Sequence, residues 1–130
     1  MSENDLIGAA WQVRERAYAP YSKFKVGAAL LADDGRVFTG CNVENLSFGL
    51  TNCAERVAIG NAVAAGACGF DAIFVVADTA EPVSPCGACR QVMAEFGVKR
   101  IVLANRSSRE EFTLEELLPR ACTGILDRSE

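Results

Sequence analysis

The chain has 130 residues, half of them apolar, with six cysteines, no histidine and a formal net charge of −4. That length fits one domain, 1–130, with a core large enough to need no covalent staples. No apolar run approaches the roughly 18 to 20 residues of a membrane span, and the acidic balance argues against a nucleic-acid partner, whose hold on phosphates rests on Lys and Arg. The opening MSENDLIGAAWQVRER is acidic and amphipathic, without the basic head and apolar run of a secretion signal, so the expected compartment is the cytoplasm. There, cysteines point to metal or catalysis more often than to disulfides. The lack of histidine removes Ser-His triads, Cys-His nucleophile pairs and H-E-x-x-H zinc helices, leaving any transition metal to Cys, Asp or Glu.

In chain order, Leu6, Ala10, Val13 and Ala17 recur at helical spacing and predict a helix over 4–18, with Pro20 as its stop. KVGAALLA (25–32) reads as a strand, Asp33-Asp34-Gly35-Arg36 as a hairpin turn, and RVFTGCNV (36–43) as the return strand. After the loop ENLSFGLT, residues 53–66 read as a helix with Asn52 as N-cap. DAIFVVAD (71–78) has the unbroken apolar run of a strand covered on both faces. A helix over 86–96 follows, with Ser84 as N-cap, Pro85 at its first position and Gly97 as its end. KRIVLAN (99–105) is a further strand, and Thr113-Leu-Glu-Glu116 is a capping box opening a short last helix. The order α-β-β-α-β-α-β-α puts helices over both faces of a mixed sheet, a three-layer α/β/α arrangement.

The cysteines of SPCGACR (84–90), Cys86 and Cys89, form a C-x-x-C that admits three readings. A redox pair needs only two cysteines at a helix start after a strand. A structural zinc knot needs a fourth ligand, for which Cys41 is the candidate. The third reading adds Cys53, at the start of the preceding helix. Helix starts that follow strands gather along one sheet edge, and their free N–H groups favour thiolate over thiol. Three thiolates leave a fourth tetrahedral position for water, as in a catalytic site. Glu55, two residues on from Cys53, is placed to move that water's protons, unless it merely closes an Asn52-x-x-Glu55 capping box. Cys68 and Cys122 are assigned to packing.

Cys53-Ala54-Glu55 followed by Pro85-Cys86-Gly87-Ala88-Cys89 resembles the zinc-dependent cytidine deaminases, whose H-x-E…P-C-x-x-C pattern has a non-ligand Glu as acid and base. YAPYSKFKVGAAL (18–30), GCNVEN (40–45) and ELLP (116–119) resemble the short homotetrameric members. The resemblance implies a five-stranded mixed sheet, Zn²⁺ held by Cys53, Cys86 and Cys89, Glu55 as proton shuttle, and hydrolysis of cytidine and deoxycytidine to the uridines with release of ammonia. It implies that Arg56 and Gln91 support the ligands. Phe24, Asn42 and Glu44 would contact the nucleoside, together with Phe48 and the backbone around Ala54 and Ser84. A tetrameric assembly is implied too, in keeping with the small side chains of NAVAAGA (61–67). Two departures stand out: Phe48 replaces a usual Tyr, and Cys122 falls near the place of a usual Phe. Alternatives are a deaminase of a cytosine nucleoside antibiotic such as blasticidin S, and a small zinc-stabilised binding domain.

Overall fold

Residues 1–122 are described in a computed structural model of the chain. The first helix, α1 (Glu3–Arg14), opens on a reciprocal capping box. The Ser2 hydroxyl accepts from Asp5 N, and Ser2 N donates to the Asp5 carboxylate. It ends four residues before the expected 18. Its last turn tightens into Arg16 N→Val13 O and Ala17 N→Arg14 O bonds, and Tyr18 is drawn away to bridge Val43. A tertiary pairing, and not Pro20, sets this boundary.

Strands β1 (Val26–Ala32) and β2 (Val37–Cys41) form the expected antiparallel hairpin, with Gly35 at φ +92° in its turn. A single 3₁₀ turn covers Phe48–Leu50. Helix α2 (Ala54–Ala64), strand β3 (Phe70–Ala77), helix α3 (Gly87–Glu95) and strand β4 (Arg100–Ala104) follow. Gly97 takes φ +64° just past α3. Strand β5 (Arg109–Thr113) was not apparent in the chain-order reading. It pairs antiparallel with β4 and leads into α4 (Leu114–Leu117), whose Thr113–Glu116 capping box forms as expected.

The sheet order is β2-β1-β3-β4-β5, with β3 and β4 parallel and the other neighbours antiparallel. Alternation along the strands divides the core. Ala28, Leu30, Ile73, Val75, Ile101 and Leu103 face α2 and α3, meeting Ala58, Ile59, Ala62, Cys89 and Met93. Ala29, Phe74, Val76 and Val102 face the other way, onto Leu6 and Ala10 of α1. The result is the expected α/β/α sandwich with a mixed five-stranded sheet. Strand β2 and helix α2 approach closely at Gly40. A Cβ there would lie 2.5 Å from the Ala54 carbonyl oxygen and against the backbone of Ala58.

Candidate metal centre and active site

Both helices on the chemical face begin on a cysteine. The N-cap of α2 is Cys53, and that of α3 is Cys86, whose sulfur accepts from Cys89 N at 3.4 Å. The expected caps, Asn52 and Ser84, are displaced. The Asn52 backbone exchanges two 2.9 Å hydrogen bonds with Val43, so it belongs to an extended bridge and the Asn52–Glu55 capping box does not form. Pro85 also lies outside α3, two residues before its first helical position. The two helix starts therefore present sulfurs where Ser, Thr, Asp or Asn usually stand.

The sulfurs converge. Cys53 and Cys86 are 3.8 Å apart, Cys86 and Cys89 3.4 Å, and all three lie within 4.8 Å of one another. Tetrahedral zinc with bonds of about 2.3 Å would hold its sulfurs about 3.8 Å apart. The donor set and its spacing thus fit zinc. Cys41 is not in the cluster, and among the described residues no fourth Cys, Asp or Glu joins it. A closed structural knot is therefore not what these residues form. Cys68 and Cys122, expected in the packing, are both exposed. In the α2–β3 connection it is Ala67 that turns inward.

The sulfurs differ electrostatically. Cys53 is drawn down to about 5, first by its hydrogen bond with Cys89 and then, against the cost of burial, by Arg56 and Cys86. Cys89, fully buried, is pushed up first by its interaction with Cys53 and then by burial. Arg56 Nη2 donates to Cys53 Sγ at 3.4 Å and to Thr51 O at 3.3 Å, while its buried Nε meets no partner among the described residues. Glu55 follows in the first turn of α2, only 5 % exposed. Burial is the main cause that pushes its carboxyl up to about 7, with the Cys53 charge adding to it. A carboxyl that exchanges a proton near neutrality beside three thiols is suited to acid–base work.

Gln91 lies elsewhere. Its Nε2 donates to Cys122 O at 3.0 Å and its Oε1 accepts from Cys122 N at 3.2 Å, so both amide atoms hold the C-terminal segment instead of the sulfurs. Arg90, absent from the sequence-based candidates, bonds Pro85 O at 2.9 Å and Leu117 O at 2.7 Å. It links the turn before Cys86 to the end of α4, and no motif spacing singled it out.

Asn42, Glu44 and Phe48 lie along the segment that the Val43–Asn52 bridge closes, just ahead of Cys53. Asn42 is buried, with Oδ1 accepting from Val26 N at 2.9 Å and Nδ2 donating to Phe24 O at 2.7 Å. Glu44 accepts from the backbone N–H groups of Tyr21 and Ser22 and from the Ser22 hydroxyl. Phe24 and Phe48 are exposed, and Phe48 meets Tyr21 edge-on with ring centroids 6.0 Å apart. Ala54 is fully buried at the start of α2, and Ser84 is exposed ahead of Pro85.

Comparison with known proteins agrees with this arrangement. The family model of the cytidine and deoxycytidylate deaminase zinc-binding region matches residues 1–105. A cytidine deaminase of Sporosarcina psychrophila is 54 % identical over 124 residues, covering 93 % of this chain and 91 % of that protein. Among solved structures, cytidine deaminase from Burkholderia pseudomallei superposes with a TM-score of 0.90 at 54 % identity, covering 94 % of this chain and all of that one. The Mycobacterium tuberculosis enzyme gives 0.80 at 43 %, covering 93 % and 97 %. With its three convergent cysteines and their flanking glutamate, the chain belongs to the cytidine and deoxycytidylate deaminase family.

Proposed function

We propose that the protein hydrolyses cytidine and deoxycytidine to uridine and deoxyuridine, as a zinc-dependent enzyme of pyrimidine salvage. The observation that carries this reading is a buried Glu55 in the same helical turn as Cys53, beside three sulfurs spaced for a tetrahedral ion.

Cys53, Cys86 and Cys89 would hold the zinc, which when bound supplies Lewis acidity that lowers the pKa of a coordinated water from 15.7 to about 7. Glu55 takes a proton from water and delivers it to N3 of the pyrimidine as the C4–O bond forms. It then takes the proton of the new C4 hydroxyl and passes it to the C4 amino group, so that the C4–N bond breaks, ammonia leaves and C4 becomes the uridine carbonyl. The pH at which Glu55 exchanges its proton lies near neutrality, so it serves in both directions. Arg56 draws charge from Cys53, which matters because three thiolates outweigh the two positive charges of the ion.

Asn42 and Glu44 hydrogen-bond the sugar hydroxyl and Phe24 packs on the nucleoside. The free N–H groups at the start of α2, around Ala54, and the backbone at Ser84 face the pyrimidine. Phe48 lines the same side. Asn42 reaches the sugar through the amide hydrogen and lone pair that Phe24 O and Val26 N leave over. The chain acts as one domain in a cytoplasmic homotetramer, a reading supported by the exposed apolar Leu46, Phe48 and Leu50, which association would cover.

The test is ammonia release from cytidine, deoxycytidine and free cytosine by zinc-loaded protein, with sedimentation of the same preparation. Turnover of both nucleosides and little of the base is expected. No release from either nucleoside overturns the reading, and an active monomer overturns the assembly.

A further inference from the structure

We infer that Ser22 is a positioning residue that fixes the Glu44 carboxylate so that one acceptor site remains open for one sugar hydroxyl. This rests on the proposed role of Glu44 and adds the device that aims it.

An ionised carboxylate only accepts hydrogen bonds and has about four places to do so. Three are filled from a single turn. Tyr21 N at 3.1 Å and Ser22 N at 3.2 Å both donate to Oε1, and the Ser22 hydroxyl donates to Oε2. The open place is on Oε2. Consecutive N–H groups that converge on one oxygen form an anion-binding nest, here followed by Lys23. That residue takes φ +63°, in the left-handed region, and its N–H closes on Ala19 O at 3.0 Å. A non-glycine residue rarely adopts this conformation, and it ends the turn just past Tyr21 N and Ser22 N.

The Ser22 hydroxyl does a second thing. Its oxygen accepts from Phe24 N at 3.0 Å. One hydroxyl thus sets the carboxylate of Glu44 and the backbone of Phe24, the two groups proposed to meet the nucleoside. The same donors favour the ionised carboxylate, with the Ser22 hydroxyl as the largest cause. Glu44 therefore meets the substrate already charged, with both oxygens fixed before binding, so little ordering is left for the bound state. A carboxylate with both oxygens free would take a cis-diol in two parallel bonds. This one has a single open place, which suits a hydroxyl common to ribo- and 2′-deoxyribonucleosides.

The experiment compares wild type, Ser22→Ala, Ser22→Thr and Glu44→Ala on cytidine and 3′-deoxycytidine, with zinc content and Tm measured for each. Loss of a hydrogen bond to a charged group predicts a cytidine KM raised roughly tenfold in Ser22→Ala, with kcat changed less than about twofold. Kinetics on 3′-deoxycytidine, which lacks the hydroxyl and reports only the Phe24 side of the device, should move several-fold less than those on cytidine, and Ser22→Thr should restore cytidine. If Ser22→Ala leaves cytidine unchanged, or weakens both nucleosides in equal proportion, the inference is overturned. Glu44→Ala separates the two ideas. If that variant still discriminates between the nucleosides as wild type does, the sugar assignment of Glu44 falls. If it loses the discrimination while Ser22→Ala keeps it in full, only the role of Ser22 falls.

Discussion

Arg56 Nη2 stands 3.4 Å from the sulfur of Cys53, three residues before it on the chain. That spacing puts both side chains on one side of the first helical turn. A cation that hydrogen-bonds a thiolate draws electron density from it and leaves the bound ion a stronger acid. Arg56→Gln should therefore lower zinc affinity or turnover by about 10- to 100-fold. Competition with a chromogenic chelator and kcat on cytidine measure the two. Wild-type values in both would reduce Arg56 to a brace for Thr51 O.

Glu55→Gln should leave the fold and zinc content intact and abolish most turnover. General acid–base catalysis contributes about 10²- to 10⁴-fold, and Glu55 acts at more than one step. The substitution also removes a carboxyl that burial has pushed up to about 7, so Tm should hold or rise. A variant that keeps more than about a tenth of wild-type kcat would remove Glu55 from the chemistry.

Arg90→Ala should weaken the hold on metal without touching a ligand. The guanidinium satisfies two carbonyls, Pro85 O and Leu117 O, 32 positions apart (117 − 85). Leaving partly buried acceptors unpaired costs about 1–3 kcal/mol. Urea denaturation should register that loss, and zinc should leave the variant faster. Arg90→Lys should rescue only in part, because a single ammonium lacks the planar fork that spans both acceptors. An unchanged zinc off-rate would confine Arg90 to stability.

Gly40→Ala tests the frame behind the site. The added methyl would press on the Ala54 carbonyl and the Ala58 backbone, in the first turns of α2. Overpacking of this kind costs about 1–3 kcal/mol, and here backbone must move. Because that backbone also sets Cys53 and Glu55, stability and kcat should fall together. A stable, fully active variant would mean that α2 can slide without disturbing the sulfurs.

The sequence was most readable where structure is local. The turn at Gly35, the capping box at Thr113 and the apolar run of β3 followed from nearest neighbours, and the structure has them. The pairing of Cys53 with Glu55 was legible because two functions met within one helical turn. What escaped depended on distant partners. Strand β5, Arg-Glu-Glu-Phe-Thr, has no apolar alternation and is a strand because β4 pairs with it. The end of α1 is set by Tyr18 bonding Asn42 O and Glu44 N. Gln91 was assigned to the sulfurs by the family resemblance, but residues two apart on a helix face different ways, and its side chain meets Cys122. Ser22 gave no signal at all, since its role exists only once residues 22 and 44 are side by side.

The packing of α1 also sets an order of events at synthesis. Leu6 and Ala10 find part of their cover on β1 and the rest on β3 and β4, and Glu3 is fastened to Arg100, 97 residues further along the chain. At roughly 5–20 residues per second, the first helix made waits about 5 to 20 seconds for the β4 residues that complete its cover. Both α1 and α2 also pack on the β1–β2 hairpin that lies between them in the chain, so each finds partial cover early. On a ribosome, the tie between the two ends of this contact, Glu3 to Arg100, is therefore among the last of the α1 contacts to form.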